Sequence, residues 1–290
     1  MDFRGMFGLF LVSSSLSIAQ TLVGVTGMDT VSTLNKEFLA QRHADEKITG
    51  GTNLIRPQVV VFAGDRVFPQ VVNGGGWKTS FFLVNLESHP VTFQILFLTD
   101  DGNDMFVPVV GLGVVRQVSV TLDTAGSTEF ETTGFSNASL DTLQQGWALL
   151  SQTTSDTIGG MAIFRQRVFG RPDQEATVPI VNQFDSHFVL LFDNTAGFTT
   201  GLAVANPTVD SVSIPVTIRD QSGNVIDHQF IQLNSYSHTA FNLPDFWFST
   251  AGRRGAIEFQ TSGFGVAALG LRAGAVAFTS FNVLENINWR

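Results

Sequence analysis

The residues best suited to chemistry fall in one stretch, FRQRVFGRPDQE, where Arg165, Arg167 and Arg171 stand a few positions from Asp173 and Glu175. A guanidinium presents its N–H donors in a fixed fork, so three of them together suit an acidic or planar polar ligand. Gly170, Arg171, Pro172 and Asp173 read as a hairpin tip, which places the charges on two neighbouring strands. The same placement also serves as cross-strand ion pairing on a solvated edge, and that plainer role is the first expectation. Trp247, within LPDFWF, is the second candidate. Exposed, its ring would contact a carbohydrate; turned inward, it would plug one end of the fold.

Other chemistries lack their residues. The chain has no cysteine, which removes disulfides, thiolate metal sites and a cysteine nucleophile. Its five histidines (His43, His89, His187, His228, His238) form no HxH or HExxH pair, so no zinc site is expected. Asp100, Asp101 and Asp104 flank Gly102 without the spacing of a calcium loop, and a simple turn is expected there. Gly74, Gly75 and Gly76 lack the helix and the Lys-Ser/Thr of a phosphate-binding loop. No G-x-S-x-G elbow occurs. Paired carboxylates of a glycosidase meet only in space and are not legible here. The expectation is a non-enzyme with no cofactor and no metal.

The elements that must position these residues are written twice. WKTSFFLVNLESHPVTFQILFLTDDGN (77–103) and FTTGLAVANPTVDSVSIPVTIRDQSGN (198–224) align without a gap at a spacing of 121 residues. Thr79/Thr200, Asn85/Asn206, Val91/Val212, Gly102/Gly223 and Asn103/Asn224 coincide. At a spacing of 111, Leu122, Thr128 and Phe130 match Leu233, Thr239 and Phe241; further on, Gly146 matches Gly255 and Arg165 matches Arg272. Alternation in Val91, Phe93, Ile95, Phe97 and in Val212, Ile214, Val216, Ile218 indicates half-buried antiparallel strands. Strands are expected at 58–62, 77–86, 91–99, 105–110, 114–122, 127–132, 146–152, 158–168 and 175–181, then at 187–192, 198–205, 211–219, 225–233, 237–241, 255–260, 265–272 and 276–284. Short strands without long intervening helices predict an all-β fold: two tandem antiparallel immunoglobulin-like β-sandwich domains, 57–183 and 184–290.

Residues 1–19 fit a signal peptide: Arg4, an apolar run over 6–18, and Ser17 and Ala19 at the small-residue positions of a cut before Gln20. Residues 20–56 form a leader in which Val31, Leu34, Phe38 and Leu39 predict one short amphipathic helix. No further stretch has the apolar length of a membrane span. The net charge of −9 argues against nucleic acid or an anionic membrane as partner. With 27 Phe against 1 Tyr and 4 Trp, most aromatic mass belongs in cores rather than on a wet recognition surface.

The phrases FPQVVNGGGWKTSFFLVNL, IGGMAIFRQRVFGRPDQEA, LLFDNTAGFTTGLAVANP and GRRGAIEF resemble a family of predicted secreted proteins common in soil bacteria such as the Acidobacteria. The resemblance covers roughly residues 66–284, implies an exported tandem β-sandwich protein, and implies no activity. Export, duplication and the missing catalytic set together predict a non-enzymatic secreted or cell-surface protein acting as spacer or adhesion module. Two alternatives stay open: a carbohydrate-binding protein using Trp247 or the 165–175 hairpin, and a self-assembling fibre subunit whose 54–62 segment completes a neighbour's sheet. The partner is then an extracellular polysaccharide or another surface protein.

Overall fold

The computed structural model describes residues 65–134, 143–152, 156–167, 170, 172–182, 184, 186–261, 265–275, 277–281 and 283–285. The expected signal peptide, the leader helix, the strand at 58–62, Arg171 and His43 lie outside the described residues.

Alternating apolar runs and turn residues give the first half β1 (Arg66–Asn73), β2 (Trp77–Asn85), β3 (Val91–Thr99), β4 (Val107–Val109), β5 (Gly113–Val115), β6 (Gln117–Leu122), β7 (Ser127–Glu131), β8 (Gln144–Ser151), β9 (Ile158–Gln166) and β10 (Gln174–Pro179). The second half holds β11 (His187–Asp193), β12 (Thr199–Ala205), β13 (Val212–Asp220), β14 (Val225–Leu233), β15 (His238–Asn242), α1 (Leu243–Phe246), β16 (Arg254–Gln260), β17 (Ala267–Ala273), β18 (Phe278–Phe281) and β19 (Leu284–Glu285). The sheets run β1-β8-β3-β6 and β10-β9-β2-β7, then β14-β13-β16-β11-β19 and β15-β12-β17-β18, with β4-β5 a separate ribbon. All pairings between these strands are antiparallel. Among the described residues no helix is long and apolar enough to cross a membrane.

The repeat in sequence is a repeat in topology. Exchanging β1, β8, β3, β6 for β11, β16, β13, β14, and β10, β9, β2, β7 for β18, β17, β12, β15, converts the first pair of sheets into the second, which adds β19 at the edge of β11. The ribbon β4-β5 is inserted where β13 passes directly to β14, which accounts for the shrinking offset. In each half the inward faces of two sheets meet: Phe81, Phe93, Ile95 and Phe97 in the first, Phe188, Ile214 and Phe259 with Leu202 and Val204 in the second. Each such side chain removed from water contributes roughly 1.5–3 kcal/mol.

The residues shared by the copies perform matching structural jobs. Asn85 donates to the carbonyls of His89, Leu122 and Asp123 while its Oδ1 accepts from Glu87 N–H. Asn206 repeats this with the carbonyls of Asp210 and Asn234 and with Thr208 N–H. Thr79 Oγ1 bridges the backbone of Val72, and Thr200 Oγ1 bridges that of Asp193. Gly102 (φ 76°) and Gly223 (φ 83°) occupy the left-handed position of equivalent hairpins.

Several expectations need correction. β1 falls between the strands expected at 58–62 and 77–86, and its Pro69 is accommodated at the register shift between Phe68 and Val71. The stretch 114–122 divides, β5 folding back on β4 and β6 joining β3. The stretch 276–284 divides likewise into β18 and β19, which belong to different sheets. The match of Arg165 with Arg272 is one residue out of register. Arg165 pairs with Lys78, whose counterpart Thr199 pairs with Ala273; Arg272 instead corresponds to Phe164. A one-residue slip exchanges faces, so Arg165 points to solvent and Arg272 inward.

The halves also share a buried contact. In β8, Ala148 and Leu150 face the first core, yet the alternating Trp147 and Leu149 are fully buried as well. Their cover comes from the second half: β12 and β17 lie against β1, and β15 against β8. Ala203, Ala240, Leu269, Leu271 and Phe278 join the first core from that side, and the rings of Trp77 and Phe278 stand 5.5 Å apart. At the rim, the turn at 234–237 seats on the first half. Trp147 Nε1 donates to the Tyr236 carbonyl at 3.1 Å, His238 N–H to the Asp100 carbonyl at 2.9 Å, and His238 Nδ1 lies 2.8 Å from Asp100 Oδ1. Gln145 holds the other oxygen of that carboxylate.

Gly102 makes the closeness possible: a Cβ there would meet the Tyr236 carbonyl oxygen at 2.7 Å, whereas at Gly223 nothing lies within 4 Å. The pair is therefore a matched experiment. Gly223→Ala should cost about 1 kcal/mol for its left-handed backbone; Gly102→Ala should cost measurably more, because the contact between halves must also open. Urea midpoints of the two variants decide it.

Candidate functional site

The hairpin at 165–175 forms as expected, on the outer face of β9 and β10. Arg165 Nε donates to Glu175 Oε1 at 2.5 Å across the register pair, with both side chains well exposed. Lys78, beside Arg165 on β2, binds Glu131 of β7, which also accepts from Ser80 Oγ. The Lys78 hydrogen bond, chiefly, holds the Glu131 carboxyl below its usual range. Two adjacent cations, Arg165 and Lys78, are thus flanked by a carboxylate on each outer strand. Arg167 donates its N–H to the Gly76 carbonyl, Asp173 is exposed in the turn, and Arg171 is outside the described residues. The arrangement is a surface ladder rather than a concave site, and an exposed pair of this kind contributes about 1 kcal/mol or less.

Trp247 is not an exposed platform. Its side chain is 2% exposed, packed edge-on to Phe241 at 5.1 Å and near Phe246 and Phe259. Pro244 opens α1, and the Asn242 amide binds Asp245, so the segment folds over the end of the second core and buries the indole. The expectation of a carbohydrate contact at Trp247 is corrected accordingly. The aromatics left in water beside it are Phe246 and, more fully, Phe248.

The carboxylates around Gly102 diverge: Asp100 turns to His238 and Gln145, Asp104 to Arg116. Among the described residues no three His, Asp or Glu side chains are grouped to hold a metal.

A concave feature lies elsewhere among the described residues, on the outer face of the second half. Leu191 and Phe192 of β11, Arg254, Gly255 and Ala256 of β16, and Arg219, Asp220, Gln221 and Gly223 of the β13–β14 hairpin line a groove of about 620 Å³. The strand register explains its shape. Leu191, Ala256 and Arg219 stand side by side on β11, β16 and β13, so the small Ala256 forms a floor between two longer walls. Gly255 is forced beside it, since a Cβ there would drive into the Arg219 carbonyl oxygen. Arg219 binds Glu258 and the Gly223 carbonyl, and Glu258 also meets His187. Asp220 is held below its usual pKa, first by the Asn224 amide, so the groove is lined by two arginines and one carboxylate.

Arg254 reaches down to a buried anchor. Asp193 accepts from Arg254 Nε at 2.9 Å, from Arg272 Nη2 at 2.7 Å, and from the hydroxyl and N–H of Thr195. The Arg272 guanidinium in turn lies 3.3 Å from the centroid of the Phe198 ring. Sequence reasoning missed the groove, although Ala256 opposite Trp147 and Arg219 opposite Leu98 in the aligned repeats carried its signal.

Burial alone would raise the pKa of Asp193, but the hydrogen bonds from Arg254, Thr195 and Arg272 outweigh it and hold the carboxyl well below the ordinary range. The unfolded chain has an ordinary value of about 3.9. The stabilisation is therefore complete above that pH and declines as pH falls below it. Asp193→Asn leaves two arginines without their counter-charge and should cost about 3 kcal/mol at neutral pH. Denaturant curves from about pH 7 down to pH 3 should also fall less steeply for Asp193→Asn than for the wild type.

Comparison with family models, with curated proteins and with solved structures finds no match to this chain, so its functional reading rests on the geometry above.

Proposed function

We propose that this protein is a non-catalytic secreted or cell-surface module: a spacer of two tandem β-sandwich domains, immunoglobulin-like in layering although the strand order is its own. One observation carries the reading. The contact between the halves is lined by Trp147, Leu149, Leu269 and Leu271 and pinned by Asp100 with His238, which makes it a core rather than a hinge. A protein that must hold two points at fixed separation needs that kind of joint; domain interfaces built for motion are smaller and more polar. The resemblance to exported soil-bacterial proteins and the apolar run over 6–18 support placement outside the cytoplasm.

The carbohydrate-binding alternative loses its best contact with the burial of Trp247. Fractionation of the native host, with protease treatment of intact cells, tests the proposal. The expected outcome is protein in the medium or at the protease-accessible surface; confinement to the cytosolic fraction rejects it.

A further inference from the structure

The groove on the second half and the joint between the halves are the same place on two copies of one fold. By strand register, Ala256 stands where Trp147 does, Arg219 where Leu98 does, and Gly223 where Gly102 does. In the first half that surface receives the turn at 234–237; in the second it is open, with nothing within 4 Å of a Cβ at Gly223.

The docking element is duplicated too. The counterpart of Tyr236 (φ 54°) is Ala125 (φ 55°), the two residues with this unusual backbone at equivalent turns. Ser237 N–H bonds the Asn234 carbonyl as Gly126 N–H bonds that of Asp123, and both turns accept from the matched Asn206 and Asn85 N–H groups. Around it, Phe82, Met161 and Ile163 stand where Ala203, Leu269 and Leu271 meet the first half. Met161 is 44% exposed and Leu86, beyond it, 60%. The first half thus carries an uncovered version of the face with which the second half docks.

We infer that the occupant of the groove is the 123–126 turn of a second copy of this chain, so that copies join head to tail by repeating the internal joint. Charge favours this partner. Asp123 and Glu129 are exposed on the docking side, and the groove offers Arg219 and Arg254 with the exposed Arg253 beside them. The acceptor surface is more polar than its internal counterpart, with Arg219 and Glu258 for Leu98 and Leu149, so the contact between copies is reversible where the internal one is permanent. A head-to-tail contact uses two different patches, so it adds copies beyond a dimer, into an open chain or a closed ring according to the rotation between neighbours. The inference is independent of where the protein resides.

The test separates the two patches. Leu191→Glu alters the groove wall and Met161→Glu the docking face; both side chains are exposed, and unchanged thermal unfolding checks that each variant folds. Sedimentation of the full chain over a concentration series should show the wild type growing beyond dimers. Each variant alone should lose association by about tenfold or more. An equimolar mixture of the two should form dimers and stop there, because one good pair of patches remains. A wild type that stays monomeric to millimolar concentration overturns the proposal and makes the polar face a solubilising cap. Association that survives in either variant alone, or a mixture that fails to dimerise, overturns it as well.

Discussion

The seat of Tyr236 over Gly102 and Trp147 is the constraint on which the rest of the architecture depends. Once the turn at 234–237 closes on the first half, β1 and most of β8 are buried on both faces, and β12 and most of β17 are buried on both of theirs. Strands covered on two sides lose the alternation of a half-exposed sheet, which is why β8 reads Trp147, Ala148, Leu149, Leu150 without a polar break. Close approach also dictates the small residues. Gly146 passes under the Leu98 carbonyl, and Gly102 leaves room for a foreign backbone. Several polar groups trapped at the rim pair with one another: Asp100 takes His238 Nδ1 on one oxygen and Gln145 on the other, and Trp147 finds the Tyr236 carbonyl. A lost partner there would leave a buried donor or acceptor unsatisfied, which costs more than the bond itself contributes.

The strands facing water on one side were legible in the chain, because period-two alternation is written directly by burial on one face. β3 and β14 fall where the pattern of Val91 to Phe97 and the run from Val225 to Leu233 place them. What failed were features that local pattern does not encode. Pro69 marks a break to any local rule, yet a register shift absorbs it. Arg165 and Arg272 look equivalent in the alignment, and only the ladder partners Lys78 and Thr200 show that they sit on opposite faces. Trp247 had two readings, and the fold of α1 over Phe241 and Phe259 chose between them. The groove was harder still. Its walls come from three strands adjacent in the sheet but separated in sequence, and its depth comes from what Ala256 lacks.

The two copies of the outer face show how exposure edits a surface whose backbone is unchanged. Had the second half kept the equivalents of Leu98, Trp147 and Leu149, it would present a broad apolar patch to water, of the kind that drives irreversible association. Arg219 and Glu258 instead bind each other, and Arg254 is held by Asp193, so the guanidiniums are fixed rather than free to sweep. The docking face of the first half did not undergo the same change: Phe82, Val84, Met161 and Ile163 remain together on it, bounded by Lys78 and Arg165 at one end and by Glu129 and Glu131 along β7. One patch is thus apolar, with Glu129 and Glu131 along β7 and the two cations at its far side, and the other is a polar trough carrying Arg219 and Arg254. Two patches that differ in this way fit each other better than either fits itself, since like pairing would set Glu129 near Glu129 or Arg254 near Arg254. The asymmetry therefore gives any self-contact a direction, and that direction is the one already taken inside the chain.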